Sequence, residues 1–264
     1  MSKKVVLITG ALTGIGRATA FAFAKQGAKV VVSGRTDEAG HKLVTELRAL
    51  GTEAEYIKAD VRHEDDVRNL VDKTIERFGQ LDIAVNNAGT EGQPGLVVNQ
   101  TAESFNATFE TNVLGTLLSM KHEIRVMQAQ NKGSIVNTSS SYGKTGAAYA
   151  SVYSASKHAV EGLTKSAALE VAGSGIRVNA VALGPIETGM LNRFTGTEEI
   201  KAGLAATVPM KRVGHAEEIA NTIVFVSSDQ ASFITGATFD VHGMFLDSEP
   251  LVARDGCIEK SQPK

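Results

Sequence analysis

Short β-branched runs alternate with longer helical patterns along almost the whole chain, and this alternation predicts an α/β fold on a parallel sheet. Two further features agree. The runs are nearly all apolar instead of alternating with polar residues, as expected of strands covered by helices on both faces. No proline- or serine-rich linker interrupts the pattern; the five prolines, at 94, 185, 209, 250 and 263, all read as loop or tail positions. A single domain is therefore expected over residues 1–247, with 248–264 an aperiodic tail.

The elements follow in order. Val5–Thr9 is a strand that ends at Gly10, and the alanine-rich segment Gly14–Lys25 is helical before Gly27. Lys29–Ser33 is the second strand, followed by a polar helical pattern over Asp37–Leu50. Ala54–Ala59 is the third strand. Glu64–Phe78 is amphipathic, with Val67, Leu70, Val71, Thr74, Ile75 and Phe78 near helical spacing. Leu81–Asn86 is a fourth strand, and Ala102–Gln128 reads as one long helix. Ser134–Thr138, helix Tyr153–Val171, Ile176–Ala182, helix Glu217–Ser227 and Ala237–Val241 complete the series.

Composition bounds the function. With 42% hydrophobic and 21% charged residues among 264, the chain is globular and not disordered. It is long enough to bury roughly three quarters of its unfolded surface without a metal or disulfide staple. A net charge of −2 argues against nucleic acid or an anionic membrane as main partner. The single cysteine, Cys257, excludes an intrachain disulfide and a Cys–His zinc cluster. The six histidines never fall three or four residues apart, so no metal site on one helix is expected. The apolar run near the amino terminus is too short for a signal peptide, and no stretch of ~18 apolar residues exists to cross a membrane. A soluble, cytoplasmic protein without metal is expected.

Thr9-Gly10-Ala11-Leu12-Thr13-Gly14-Ile15-Gly16 links the first strand to the first helix. Glycines allow a tight turn and close approach of backbone to a ligand. The amides at a helix start favour phosphate, and open parallel sheets bind ligands beyond the carboxyl ends of their strands. This points to a nucleotide. The plain alternative is an ordinary βα turn, since G-x-x-x-G-x-G is not the commonest dinucleotide spacing.

Three further phrases lie at strand or helix ends. Asn86-Asn87-Ala88-Gly89 closes the fourth strand, Ser139-Ser140-Ser141 closes the fifth, and Tyr153-Ser154-Ala155-Ser156-Lys157 opens the next helix. With the glycine turn, they resemble the single-domain branch of the short-chain dehydrogenase/reductase family, over about residues 3–244. The resemblance implies a doubly wound Rossmann fold with a seven-stranded parallel sheet in the order 3-2-1-4-5-6-7 and helices on both faces. It also implies NAD(P)-dependent oxidoreduction and, commonly, a homotetramer.

Tyr153 and Lys157, four residues apart, share a helix face. Reduction of a ketone adds hydride to carbon and a proton to oxygen. A phenol has a pKa of ~10, which a nearby ammonium lowers. The resemblance makes Tyr153 the general acid in reduction and the general base in oxidation, with Lys157 also holding the nicotinamide ribose. Ser140 lies thirteen residues before Tyr153 and three before Gly143, the register of the family's catalytic serine. Its hydroxyl would donate to the substrate oxygen. Ser139 is then structural and Ser141 pocket-lining. Asn112 matches the family asparagine that supports a water in a relay to Lys157.

For the cofactor, the resemblance assigns Gly10, Thr13, Gly14, Ile15 and Gly16 to the phosphate turn and Asp60 and Val61 to the adenine. Asn86, Ala88 and Gly89 fall to the ribose floor, and Ile186 and Thr188 to the carboxamide. NAD-dependent relatives place an aspartate where this chain has Gly34; Arg35 follows, with Ser33, Thr36 and Arg17 nearby. The expectation is NADP in preference to NAD. Two departures stand out: Leu183-Gly184 precedes Pro185 where the family has proline-glycine, and Val241-His242-Gly243-Met244 replaces Val-Asp-Gly-Gly.

The substrate segment is expected at Thr188–Thr207, with Met190, Leu191, Phe194 and Leu204, and with Tyr142, Gln93 and Ala147–Ala150 facing it. Its apolar character favours an uncharged small-molecule ketone or alcohol. A 3-ketoacyl thioester is the alternative, if Lys201, Lys211 and Arg212 form a basic mouth. A catalytically silent nucleotide-binding scaffold or sensor is another, against which stand the retained tyrosine, lysine and serine.

Overall fold

Successive residues of the central strands feed two apolar layers, one on each side of the sheet. Val6 and Ile8 of β1 (Val5–Thr9) join one layer and Leu7 the other; Val30 and Val32 of β2 (Lys29–Gly34) part from Val31 in the same way. Both faces must therefore be covered, and the near-continuous apolar runs follow from that. The computed structural model describes residues 3–244; the tail read at 248–264 lies outside them.

The sheet is all parallel, in the order β3-β2-β1-β4-β5-β6-β7. The further strands are β3 (Ala54–Lys58), β4 (Ile83–Asn86), β5 (Gly133–Ser140), β6 (Ile176–Leu183) and β7 (Thr238–Val241). Helices α1 (Gly14–Lys25) and α2 (Asp37–Ala49) pack on one face through Phe23, Leu43 and Leu47. Helix α3 (Glu64–Phe78) covers the other through Leu70 and Val71. This is the doubly wound Rossmann arrangement.

The single helix expected over Ala102–Gln128 is broken. It runs as α4 (Ala102–Phe109), a wide π-turn over Glu110–Leu114, and α5 (Gly115–Gln130). Such turns concentrate at functional sites. Here the turn carries Asn112, whose amide is tied to the Thr90 backbone, and it is followed by Gly115, where a Cβ would lie 2.6 Å from Val61 Cγ2. Tertiary contacts on both sides of the turn thus hold it in place.

Helix α6 (Ser151–Val171) joins α3 and α5 on the second face. The substrate segment forms two short helices, α7 (Gly189–Thr195) and α8 (Glu198–Thr207), whose N-caps Thr188 and Thr197 accept from the Leu191 and Ile200 amides. Helix α9 (Ala216–Ser227) returns to the first face beside α1 through Ile219 and Ile223. The two departures from the family pattern meet each other: a Cβ at Gly184 would lie 2.7 Å from His242 Cα, so glycine is what lets the chain leave β6 past the end of β7.

Candidate active site

The β1–α1 turn is held from outside its own sequence. Gly10 and Gly14 have φ of +60° and +52°, which favour glycine. A Cβ at Gly10 would fall 2.7 Å from Ala88 Cα, and one at Gly16 would fall 2.4 Å from the Gly10 carbonyl oxygen. Asn87 Nδ2 donates to the carbonyls of Thr9 and Gly10 at 3.2 and 3.0 Å, while Thr9 Oγ1 accepts from the Asn87 and Ala88 amides. Thr13, the N-cap of α1, makes no side-chain cap, and the first turn carries no acid. Its first amides are thus left uncapped by side chains, which fits them to receive the pyrophosphate of a dinucleotide.

Asn87 is the residue that sequence reading passed over in favour of its neighbour. The Asn86 side chain turns into the interior, where it donates to Glu123 Oε2 and Asn137 Oδ1, both at 3.0 Å. Burial pushes the Glu123 carboxyl up to about 7, against the Asn86 amide.

At the other end of this groove, Arg35 is exposed and makes no hydrogen bond or ion pair among the described residues, and the buried Ser33 hydroxyl has no partner. Arg17 is already countered by Glu46 at 2.6 Å, so the extra positive potential expected of it is neutralised. Asp60 holds the Arg62 guanidinium, with Nη2–Oδ2 at 2.6 Å. That hydrogen bond draws its carboxyl down to about 2. Val61 packs with Val67 and Leu118 against Ala88.

Lys157 and Tyr153 project from the first turns of α6. Lys157 is 6% exposed, and its Nζ donates to the Thr138 carbonyl at 2.9 Å. Burial brings its pKa down to about 8. The half-buried Tyr153 phenol is pushed up to about 12 by desolvation, opposed by the Ser140 hydroxyl and reinforced by the Glu91 charge. The lowering expected from Lys157 is not found. Its Nζ lies 5.7 Å from the Tyr153 ring centre and is directed to Thr138, so desolvation prevails.

Ser140 Oγ accepts from the Tyr142 amide at 3.2 Å, while Ser139 donates to the buried Glu161 at 2.9 Å. The Ser139 hydroxyl is thus engaged inside the fold and not toward the cavity. Asn112 is 1% exposed; it accepts from the Thr90 amide at 2.8 Å and donates to the Thr90 carbonyl and Ser156 Oγ. A Cβ at Gly89 would meet Asn112 Oδ1 at 3.2 Å and Lys157 Nζ at 3.7 Å, which places all three residues together.

Tyr153, Ser140 and Ser141 open on a cavity of about 110 Å³ whose other walls are mostly apolar: Ile15, Tyr142, Ile186, Met190, Leu191, Phe194 and Leu204. Thr188 also lines it, but its hydroxyl donates to the Ile186 carbonyl at 3.1 Å and caps α7, while its methyl faces Gly14. Gln93 lies exposed outside the cavity, and Ala147 packs behind Tyr142 and Tyr153. Glu91, which sequence reading did not single out, also lines it and is ion-paired to Arg193 of α7. Lys201 is paired with Glu187 and Arg212 with Glu218, and Lys211 donates to the Ala206 carbonyl. No helix among the described residues is long and apolar enough to cross a membrane.

The chain is similar to known proteins in sequence and fold. The family model described as enoyl-(acyl carrier protein) reductase matches residues 10–243. Cyclohexanol dehydrogenase of Acinetobacter sp. (strain SE19) is 40% identical over 244 residues, covering 92% of this chain and 95% of that one. Among solved structures, ElxO with NADP bound superposes with a TM-score of 0.88 at 36% identity, over 93% of this chain and 99% of that one. NAD+-bound xylitol dehydrogenase gives 0.88 at 34% identity, over 91% and 98%.

Proposed function

The chain belongs to the short-chain dehydrogenase/reductase family, NAD(P)-dependent oxidoreductases of CH–OH groups, and from this premise we propose that it interconverts an uncharged, largely apolar ketone and its secondary alcohol. The observation that carries the reading is the Tyr153 phenol on the wall of a largely apolar cavity, beside Ser140 and one turn from a buried lysine.

Gly10, Thr13, Gly14, Ile15 and Gly16 would hold the pyrophosphate, Asp60 and Val61 the adenine, and Ala88, Gly89 and the Asn86 backbone the ribose floor. Ile186 and Thr188 flank the carboxamide end. The nicotinamide, when bound, gives or takes the hydride. Ser140 orients the substrate oxygen by donating to it. Tyr153 gives its proton to that oxygen in reduction and receives it in oxidation. A phenol at about 12 is firmly protonated at neutral pH, ready to give a proton and slow to take one. Oxidation therefore calls for Lys157 to bring its ammonium toward the phenol oxygen. The apolar walls exclude water around this transfer.

Gly34 and the unpaired Arg35 favour NADP, since a charge-assisted bond is worth about 1.5–3 kcal/mol, or about 10- to 100-fold in kcat/KM. A homotetramer agrees with the exposed Phe105, Leu114, Leu117 and Leu169 and with the fully exposed Phe233. We place the protein in the cytoplasm. The thioester reading is not favoured, because the cations that would form its basic mouth are engaged by partners within the chain.

The test follows absorbance of the reduced nicotinamide with cyclohexanone and other neutral ketones. Turnover is expected, with NADPH ahead of NADH, and Tyr153→Phe should lose about 10²–10⁴-fold while still binding cofactor. Near-normal turnover in that variant refutes the assignment. Tight cofactor binding with no ketone reduced would indicate a silent sensor.

A further inference from the structure

Two hydroxyls on different elements have to meet for this site to work: Ser140 ends β5, and Tyr153 lies in the first turn of α6. The Ser140 hydroxyl caps the short 3-10 turn Ser141–Gly143 that follows it. The residues on either side of Ser140 meet one buried group. Ser139 Oγ donates to Glu161 Oε1 at 2.9 Å, and a Cβ at Gly143 would fall 2.6 Å from that same oxygen and 2.6 Å from Ser139 Oγ. Glu161 is 4% exposed and lies on α6, eight residues after Tyr153. Its other oxygen, Oε2, takes a longer contact of 3.5 Å from Thr238 Oγ1 of β7. Lys144, just beyond the turn, is paired with Asp240 of the same strand.

The sheet registers β5 as far as Ser140, which stands opposite Leu183 of β6. Beyond that point the turn is placed by what it packs on, and Glu161 occupies the space a side chain at 143 would need. A buried carboxyl costs stability that an apolar side chain would not. Glu161 does not line the cavity, so the reaction makes no direct use of it. It shares one helix with Tyr153, however, and through it the strand end that carries Ser140 is tied to the helix that carries the phenol. The Ser140 hydroxyl already bears on that phenol, whose upward shift it opposes. A misplacement of ~1 Å between such groups can cost about 10²-fold in rate.

Resting on the oxidoreductase reading above, we propose that Glu161 is a positioning residue: its carboxyl clamps Ser139 and Gly143 to α6 and so holds the Ser140 hydroxyl beside the Tyr153 phenol. It acts through Ser140 and carries no proton in the reaction.

Glu161→Met keeps the length and fills the space but removes the acceptor, whereas Glu161→Gln keeps an acceptor oxygen. The experiment measures kcat with cyclohexanol and cofactor Kd for both, in the parent and in the Ser140→Ala background. Glu161→Met should lower kcat by about tenfold with cofactor Kd unchanged, and Glu161→Gln should recover most of the loss. In the Ser140→Ala background Glu161→Met should cost less than about twofold, because the hydroxyl it positions is gone. Gly143→Ala keeps the carboxyl but pushes the turn off it. It should reproduce the fall in kcat, and it decides the matter if Glu161→Met fails to fold. Equal losses in the two backgrounds, no recovery in Glu161→Gln, or native kcat in Gly143→Ala overturns the proposal and leaves Glu161 a support of the fold. Absence of turnover with any alcohol would instead remove the oxidoreductase reading. The place of Ser140 is then read by NMR from the carbon-13 resonance of Tyr153 Cζ, assigned with Tyr153→Phe. Ser140→Ala should shift it, Glu161→Met should shift it in the same direction, and Glu161→Gln should leave it near its native position. A resonance that Glu161→Met leaves in place overturns the proposal.

Discussion

Lys157→Met should make the protein inactive and no less stable at neutral pH. The native pKa of Lys157 is lowered by burial from 10.5 to about 8. At ~1.4 kcal/mol per pKa unit, the folded state carries about 3 kcal/mol of penalty wherever the lysine is charged in both states, that is below pH 8. The side chain is 6% exposed, so solvent does little to screen this penalty. Methionine is of similar length and apolar, and it removes the penalty. It also removes the bond from the charged amine to the Thr138 carbonyl, at a cost of about 1.5–3 kcal/mol. The net gain at pH 7 is about 0–1.5 kcal/mol. The sign in alkali follows from linkage. Above pH 8 the folded lysine gives up its proton while the unfolded one keeps it to 10.5, so the native chain gains stability relative to the variant as pH rises. The advantage of the variant should shrink by roughly 2 kcal/mol between pH 7 and pH 10. Tyr153, raised to about 12, acts in the opposite direction only above pH 10, outside this window. Urea unfolding of both proteins at equal concentration, at each pH unit from 7 to 10, measures the difference. A variant less stable than the parent at pH 7, or a difference that does not change with pH, refutes the reasoning.

Gly34→Asp should not switch the cofactor cleanly on its own, because its Cβ would lie 2.6 Å from Leu12 Cδ1 and 2.7 Å from Leu12 Cγ. Paired with Leu12→Ala, it should move the kcat/KM ratio toward NADH by about tenfold or more; an unchanged ratio in the double variant would show that Arg35 does not read the phosphate. Ser140→Ala should depress kcat by about 10²-fold with little change in unfolding midpoint, whereas Ser139→Ala, which deprives buried Glu161 of the nearer of two hydroxyl donors, should lower stability by about 1–3 kcal/mol with a smaller effect on kcat. The opposite ordering would mean the serine register is wrong. Asn87→Ala should weaken cofactor binding, read as a higher Kd by fluorescence of the reduced nicotinamide, because two turn carbonyls lose their donor. Asn86→Ala should instead act mainly on thermal stability, and equal Kd effects from both would contradict the separation of their roles.

The strand runs, the glycine turn, the Asn-Asn-Ala-Gly phrase and the Tyr153–Lys157 spacing are local patterns, and the fold and the place of the candidate site could be read from them. The alternation of β and α settles a parallel sheet because each apolar strand needs a helix on both sides. The i, i+4 spacing puts phenol and amine on one face whatever surrounds them. Other features depended on residues far apart in sequence. Which of two adjacent asparagines serves the glycine turn depends on the strand pleat: Asn86, the last residue of β4, turns to Glu123, and Asn87 turns to Thr9 and Gly10. The break of the long helix at Asn112 depended on Thr90 and Ser156, and the pairing of Glu91 with Arg193 joins residues 102 positions apart. The acid–base properties of Tyr153 and Lys157 were also beyond the sequence. Spacing brings the two side chains together, but only packing determines how much water they lose and which way the ammonium points, and at this site desolvation is the largest cause of both shifts.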